Sequence, residues 1–144
     1  MTAKVGRLRS RFGEREAGMV TAFVVIFTVA LLVMAGLVLD GGLALSAKVR
    51  AIDDAQAAAR AGAQAINIPL YRSTGQITLD PAQASADAEQ YLAHAGQTGT
   101  VTVNGDQVTV TITVTHPTQL LSLAGIHDLT VSGSGSATAE QANP

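Results

Sequence analysis

Residues 19–39 read MVTAFVVIFTVALLVMAGLVL, a run of 21 residues that contains no charged side chain. As a helix with a rise of about 1.5 Å per residue, this run spans roughly 31 Å, close to the thickness of a bilayer's hydrocarbon core. Its only polar side chains are Thr21 and Thr28, whose hydroxyls can bond to the preceding helical turn. A core helix of a small protein keeps a polar stripe that faces water, and this run has none, so we predict a transmembrane helix.

A cleaved secretory signal is the alternative to a permanent anchor. The apolar region of such a signal is about 7 to 15 residues long, which is shorter than the run found here. Small residues suited to a cleavage position do occur in the segment Ala44-Leu45-Ser46. The length of the run favours the uncleaved anchor.

The charges on either side of the run predict its orientation. Residues 1–18 contain five basic and two acidic side chains, whereas residues 40–144 contain four basic and nine acidic ones. Positive charge is retained on the cytoplasmic side. We therefore predict a cytoplasmic basic tail at residues 1–18, a single-pass helix in the cytoplasmic membrane at residues 19–39, and an extracytoplasmic domain at residues 40–144. The basic cluster is explained as a topology signal, and we expect no nucleic-acid binding.

Two helices are predicted in the extracytoplasmic domain. The first covers residues 40–67, is rich in alanine and ends before Pro69. Its adjacent glycines, Gly41 and Gly42, cost about 2 kcal/mol relative to alanine in a helix, so we expect a bend there. A loop is predicted at residues 68–79, where proline, serine, threonine and glycine cluster.

The second helix, at residues 81–95, carries its own start and stop signals. Asp80 can cap it, Pro81 suits the first helical position, Gln83 stands where a capping box places its amide, and Gly96 can close the C-terminus. The expected core contacts of this helix are Ala84, Ala88, Tyr91, Leu92 and Ala95.

Alanine recurs at every fourth position of the first helix. Such a row of methyl groups forms a ridge on which another helix or a sheet can approach closely. The predicted ridge consists of Ala47, Ala51, Ala55, Ala59 and Ala63. Packing on the chain's own sheet and packing on another subunit are both open, and we favour the first because a lone amphipathic helix needs a partner.

The apolar period changes to two in residues 100–139, which predicts strands. A four-residue loop at residues 104–107 would pair Val103 with Val108 and Val101 with Val110, placing all four valines on one face. A short helix is expected within residues 118–126 and a third strand at residues 129–139. The predicted fold class is α+β: a transmembrane helix that continues into an alanine-rich helix, packed on a small antiparallel sheet of about three strands.

No combination of residues in the sequence predicts catalysis. The sequence has no cysteine, no phosphate-binding loop and no nucleophile elbow. His94, His116 and His127 with Asp128 lack the paired spacing of metal ligands on one element. We therefore expect a protein that is not an enzyme and has no cofactor, no metal and no small-molecule substrate.

The N-terminal third nevertheless has a familiar order of features. A basic tail precedes Glu14-Arg-Glu-Ala-Gly18, and the apolar run ends in Gly36-Leu-Val-Leu-Asp40-Gly-Gly, which is followed by the alanine-rich stretch. Residues 15–66 therefore resemble the N-terminal region of the TadE/TadG-like proteins of the Flp, or tight-adherence, pilus assembly system. The later segment LLSLAGI at residues 120–126 and the segment LTVSGSGSATA at residues 129–139 resemble the end of the actinobacterial members.

The resemblance implies a membrane-anchored, pilin-like or accessory component of a surface fibre, with other pilus assembly or pilin-like subunits as partners. In pilin-like relatives a peptidase cuts after a glycine, which here corresponds to Gly18, and makes Met19 the new N-terminus. Those relatives usually carry glutamate at the fifth mature position, where this chain has Phe23. We therefore expect the span to remain attached. The alternative function is a generic signal-anchored extracytoplasmic binding module, with a ligand on the threonine-rich sheet face or near Tyr71.

Overall fold

The computed structural model describes residues 10–140. Most of the basic cluster (Lys4, Arg7 and Arg9) and the polar C-terminal tail at residues 141–144 lie outside the described residues. The fold consists of one very long helix, a small antiparallel sheet packed on the C-terminal half of that helix, and two shorter helices. The predicted α+β class is confirmed.

The long helix, α1 (Ser10–Gly62), is 53 residues long, or about 80 Å at the usual rise. In the described part of the chain it is the one helix long and apolar enough to cross a membrane. It continues without interruption through Gly41 and Gly42, so the expected bend does not appear as a break in the helix. The helix is supported on both sides of these two glycines. Gly36 and Asp40 contact the rest of the chain before them, and Ala51 does so after them.

The segment after α1 differs from the predicted loop. The helix ends at Gly62 rather than near residue 67, and a second helix, α2 (Ile68–Thr74), follows. Asn67 caps α2 by accepting a hydrogen bond from the N–H of Leu70 at 3.1 Å, and Pro69 lies in its first turn. Proline is tolerated there because the first helical N–H groups have no partner within the helix, so Pro69 helps to begin a helix that we had not predicted.

The third helix, α3 (Pro81–His94), begins as predicted. The Asp80 carboxylate accepts hydrogen bonds from the N–H groups of Ala82 and Gln83. The capping-box role of Gln83 is wrong, because its amide donates to Asp87 at 2.7 Å instead. Of the expected core contacts, Ala84, Ala88 and Leu92 are buried, whereas Tyr91 and Ala95 are exposed.

Three strands form the sheet in the order β1-β2-β3: β1 (Gly99–Asn104), β2 (Gln107–Pro117) and β3 (Asp128–Thr138). Both neighbouring pairs are antiparallel, and Val103 pairs with Val108 and Val101 with Val110, as predicted. The turn is tighter than expected, because Asn104 and Gln107 still pair and only Gly105 and Asp106 lie between them. Gly105 has a positive φ of 62°, which suits glycine at the first position of a two-residue hairpin turn.

One face of the sheet is apolar and packs on the helices. Val108, Val110 and Ile112 of β2 are completely buried against small residues of α1 and α3. The opposite face carries hydroxyl groups that pair across β2 and β3, as Thr109 does with Ser136 at 3.1 Å and Thr111 with Ser134 at 3.2 Å. The sheet therefore has one dry and one wet face, as is common in antiparallel sheets.

Candidate functional site: the contacts of the long helix

A stripe of eight residues, seven of them glycine or alanine, runs along α1 and makes many of its contacts with the rest of the chain. The stripe is spaced by three or four residues, and every member recurs 11 positions away from another member. An 11-residue repeat is close to the natural turn of a helix, so the stripe stays on one side over its whole length. Its members are Gly36, Asp40, Ala44, Ala47, Ala51, Ala55, Ala58 and Gly62.

Strand β3 lies against the C-terminal part of this stripe at very short range. A Cβ atom added at Gly133 would lie 2.6 Å from the carbonyl carbon of Ala51, and one added at Gly135 would lie 2.7 Å from that of Ala55. Real Cβ atoms do not approach backbone atoms so closely, so the contact needs glycine on the strand as well as alanine on the helix. The repeated glycines of β3 therefore have a packing role.

The predicted alanine ridge falls partly on this contact. Ala51, Ala55 and Ala59 are completely buried, while Ala47 and Ala63 are half-buried. The buried stripe then continues through Ala58 and Gly62, which the strict four-residue spacing did not include. At Ala51 and Ala55, the surface that could have met another subunit is occupied by the chain's own sheet.

A second contact lies where the span meets the domain, at Asp40. The segment between β2 and β3, residues 118–126, folds back onto α1 and includes a short 3₁₀ helix, Leu121–Ala124. We call residues 118–126 the leucine loop. The carboxylate of Asp40 accepts three backbone hydrogen bonds from it, from the N–H groups of Gln119 at 2.9 Å, Leu120 at 3.0 Å and Leu121 at 2.7 Å.

These bonds set the charge state of Asp40, which is only 2% exposed. The N–H of Leu121 makes the largest contribution to lowering the pKa of the carboxyl below its ordinary value of 3.8. Burial opposes this effect, whereas the N–H groups of Gln119 and Leu120 and the charge of His116 reinforce it. A carboxylate that accepts several backbone N–H bonds is stabilised in its ionised form, so Asp40 is charged at neutral pH.

The leucine loop also makes an apolar contact with the span itself. A Cβ atom added at Gly36 would lie 2.9 Å from the Cβ of Leu120, so this glycine lets the loop approach the helix. Beyond this contact, a cleft of about 460 Å³ opens between the loop and the helix. The residues that line it are all apolar: Val29, Leu32, Val33, Ala35, Leu120, Leu121 and Leu123.

The structure places the predicted processing residues within α1. Gly18 and Met19 lie in its N-terminal third and are exposed, and Phe23 stacks on Phe27 with their ring centroids 5.9 Å apart. Other exposed apolar side chains cover the remainder of the span. Cleavage after Gly18 stays a prediction.

The side chains that the structure describes, which begin at Gly18, were expected to hold no metal site. No group of three or more histidine, aspartate or glutamate side chains among them is placed to hold a metal ion. Asp54 accepts a hydrogen bond from the Gln97 side chain at 3.1 Å, and Asp53 is exposed on the same helix. The geometry of these described residues supports packing and anchoring.

Sequence reasoning missed Asp40 and its partners. The sequence contained two features that could have indicated this contact: a carboxylate directly after the apolar run, and the three leucines of the leucine loop. Nothing local connects the two, since Asp40 and Leu121 are 81 positions apart in the sequence. The link appears only when the sheet brings the leucine loop back to α1.

Comparison with known proteins agrees with this arrangement. Residues 18–65 match the family model described as putative Flp pilus-assembly TadE/G-like. No curated protein and no solved structure matches the chain. The matched segment contains the apolar span and the whole of the stripe on α1, including Asp40. The resemblance predicted from the sequence is thereby confirmed: residues 18–65, about a third of the chain, are similar to the TadE/G-like proteins of Flp pilus assembly.

Proposed function

We propose that this protein is a membrane-anchored, pilin-like or accessory component of a Flp/Tad-type pilus, acting through protein contacts and without catalysis. The observation that carries the proposal is the match of residues 18–65 to the TadE/G-like pilus-assembly model, which supports a pilus-related role. The same residues contain a helix suited to a single-pass anchor. We further propose that the domain after Asp40 is extracytoplasmic, because basic residues precede the span and acidic residues predominate after it.

Packing within the chain makes part of the alanine ridge inaccessible to partner subunits. Ala51, Ala55 and Ala59 are buried inside the protein, so enlarging them would disturb its own fold. The side chains of the span, by contrast, are almost all exposed. We propose that partner subunits contact the span within the membrane, for example at Val24 or Phe27, both of which are more than half exposed.

Site-directed crosslinking in the native membrane tests this function. The chain has no cysteine, so Val24→Cys would introduce a unique thiol in the span. We expect it to crosslink to another fibre-assembly protein carrying its own introduced cysteine, and we expect deletion of the gene to abolish fibres. Thr113→Cys, on the exposed face of the sheet, is the matched control and should give no such product.

One combination of outcomes would count against the proposal. Normal fibres in the deletion strain together with equal crosslinking at both positions would leave the generic binding module as the better interpretation. Separately, the intact mass of the protein from its native membrane tests processing. We expect the uncleaved chain, because Phe23 stands where pilin-like relatives usually carry glutamate, and a product that starts at Met19 would contradict this expectation.

A further inference from the structure

The leucine loop exposes its apolar side chains although it is tied to the protein on one side. Leu123 is 88% exposed, and Leu120 and Ile126 are also exposed. Residues 118–126 read TQLLSLAGI and contain no charged side chain. In water, this cluster would be an unfavourable surface for a loop that is otherwise well ordered by hydrogen bonds.

The position of the loop along α1 gives its depth relative to the span. Leu120 touches Gly36, which precedes Asp40 by about one helical turn. The cleft beneath the loop extends along the helix from Ala35 to Val29. At about 1.5 Å per residue, Val29 lies roughly 16 Å from Asp40 along the helix axis, about half of the hydrocarbon thickness. The loop therefore lies beside the part of the helix that crosses one leaflet.

Many backbone polar groups of the leucine loop find hydrogen-bond partners within the protein. A backbone polar group without a hydrogen-bond partner costs several kcal/mol in the hydrocarbon core, so partners within the protein favour the insertion of a loop. Asp40 accepts the N–H groups of residues 119–121. The N–H of Leu123 bonds to Leu120, and that of Ile126 bonds to Leu121, at 3.1 Å each. The hydroxyl of Thr118 donates to the carbonyls of Ile126 and His127.

We propose that the leucine loop is inserted into the leaflet on the side of Asp40 and that phospholipid acyl chains fill the cleft between the loop and α1. The inference rests on the membrane anchor in the proposed function and deepens it, since both the span and the leucine loop would be inserted into the bilayer. Acyl chains fit the cleft because its lining is apolar and continuous with the exposed surface of the span. Of the titratable residues next to the loop, His116 lies in β2, Asp128 begins β3 and His127 directly precedes β3, on the side of the sheet, where the headgroups would be.

Tryptophan fluorescence of the full chain in vesicles tests the insertion. The chain has no tryptophan, so Leu123→Trp provides a single probe at a position with room for the larger ring. In phosphatidylcholine–phosphatidylglycerol vesicles, we expect blue-shifted emission, several-fold stronger quenching by lipids with a nitroxide on the acyl chain than by aqueous acrylamide, and no change on dilution with lipid. The matched control, Thr113→Trp on the wet face of the sheet, should show the opposite preference.

The other results distinguish the loop from the anchor. If the chain floats with vesicles but Leu123→Trp is quenched by acrylamide as strongly as the control, the loop inference is wrong and the anchor stands. If the chain does not float at all, the membrane part of the proposed function fails as well. Protection from both quenchers that disappears on dilution with lipid would mean that a second copy covers the loop. Leu123→Cys, labelled with a membrane-impermeant maleimide, provides a smaller substitution and should react several-fold more slowly than Thr113→Cys.

Discussion

Asp40 alone satisfies three neighbouring backbone N–H groups of a segment about 80 residues away. Without an acceptor, buried N–H groups lose hydrogen bonds that water would otherwise supply, so the loop would no longer be favoured in its folded position. Asp40 therefore provides the main polar contact between α1 and the leucine loop.

We expect Asp40→Ala to release the leucine loop from α1. In detergent solution, limited proteolysis within residues 118–126 should be several-fold faster in this variant than in the wild type. Asp40→Asn keeps one acceptor oxygen and should be intermediate. Asp53→Ala removes an exposed carboxylate from the same helix and is the control, which should behave as the wild type. Equal cleavage of Asp40→Ala and the control would show that the loop is held by its apolar contacts alone.

Acid should weaken the same contact. The pKa of Asp40 in the folded protein lies below its ordinary value of 3.8, so the unfolded chain takes up the proton at a higher pH than the folded chain does. The stabilisation that the carboxylate provides is therefore fully present above its ordinary pKa and is lost as the pH falls through the lowered, folded value. Other carboxylates also respond to acid, so the informative quantity is a difference between two proteins.

The difference in melting temperature between the wild type and Asp40→Asn should thus decrease as the pH falls from neutral through 3.8, the ordinary pKa of the carboxyl, and below it. Circular dichroism in detergent would measure both proteins. A difference that stays constant with pH would mean that the charge of Asp40 does not contribute to stability.

At the scale of elements, the contact between α1 and β3 depends on glycine in the strand. Gly133 and Gly135 face the backbone of α1 so closely that any side chain there would push the two elements apart. Overpacking of this kind costs typically 1–3 kcal/mol and occasionally more. The sequence showed these glycines only as a sign of a weak or edge strand, since which residue faces them depends on how the sheet lies on the helix.

We expect Gly135→Ala to lower the free energy of unfolding by about 3 kcal/mol, because the added methyl group would meet the backbone of Ala55. Gly41→Ala is the matched control. It makes the same substitution in the middle of α1, where the added Cβ would meet no atom within 4 Å apart from the helix's own backbone. That change should stabilise the protein by about 0.5–1 kcal/mol. Chemical denaturation would measure both, and a similar effect of the two substitutions would contradict the close contact.

The sequence predicted the hairpin register and the start of α3, because each depends on local rules. Pairing Val103 with Val108 and Val101 with Val110 places the four valines on one face and leaves a short loop, and the Asp80-Pro81 pair specifies a helix start by itself. Helix α2 was missed because Pro69 was interpreted as a stop, although Asn67 before it supplies a cap. The loop at Gly105 was predicted to be two residues too long. Its closing pair, Asn104–Gln107, is polar, so the apolar pattern does not show that these two residues belong to the strands.

For the whole molecule, length, charge and apolar pattern were sufficient to predict the span and the fold class. They could not predict how the span and the domain are joined, because the leucine loop meets α1 through residues far apart in the sequence. The four-residue alanine spacing was likewise only an approximation to the buried stripe. The true repeat became visible once Ala58 and Gly62 were seen to be buried beside Ala55.

Orientation is the main prediction at this scale. Because basic residues predominate before the span and acidic residues after it, an alkaline phosphatase fused to the C-terminus should be active, since this reporter folds only outside the cytoplasm. The same reporter fused to the N-terminus should be inactive. The reverse pattern would place the sheet in the cytoplasm and remove the domain from any surface fibre.

The continuous stripe of α1 also determines how the protein responds to force. The leucine loop and the sheet both bind the same side of one unbroken helix, so the helix cannot rotate about its axis without breaking one of the two contacts. We therefore expect a torque applied to the N-terminal part of α1 to turn the leucine loop and the sheet together with the helix. In the proposed membrane-anchored arrangement, a neighbouring protein that turns the span would turn the wet face of the sheet as well.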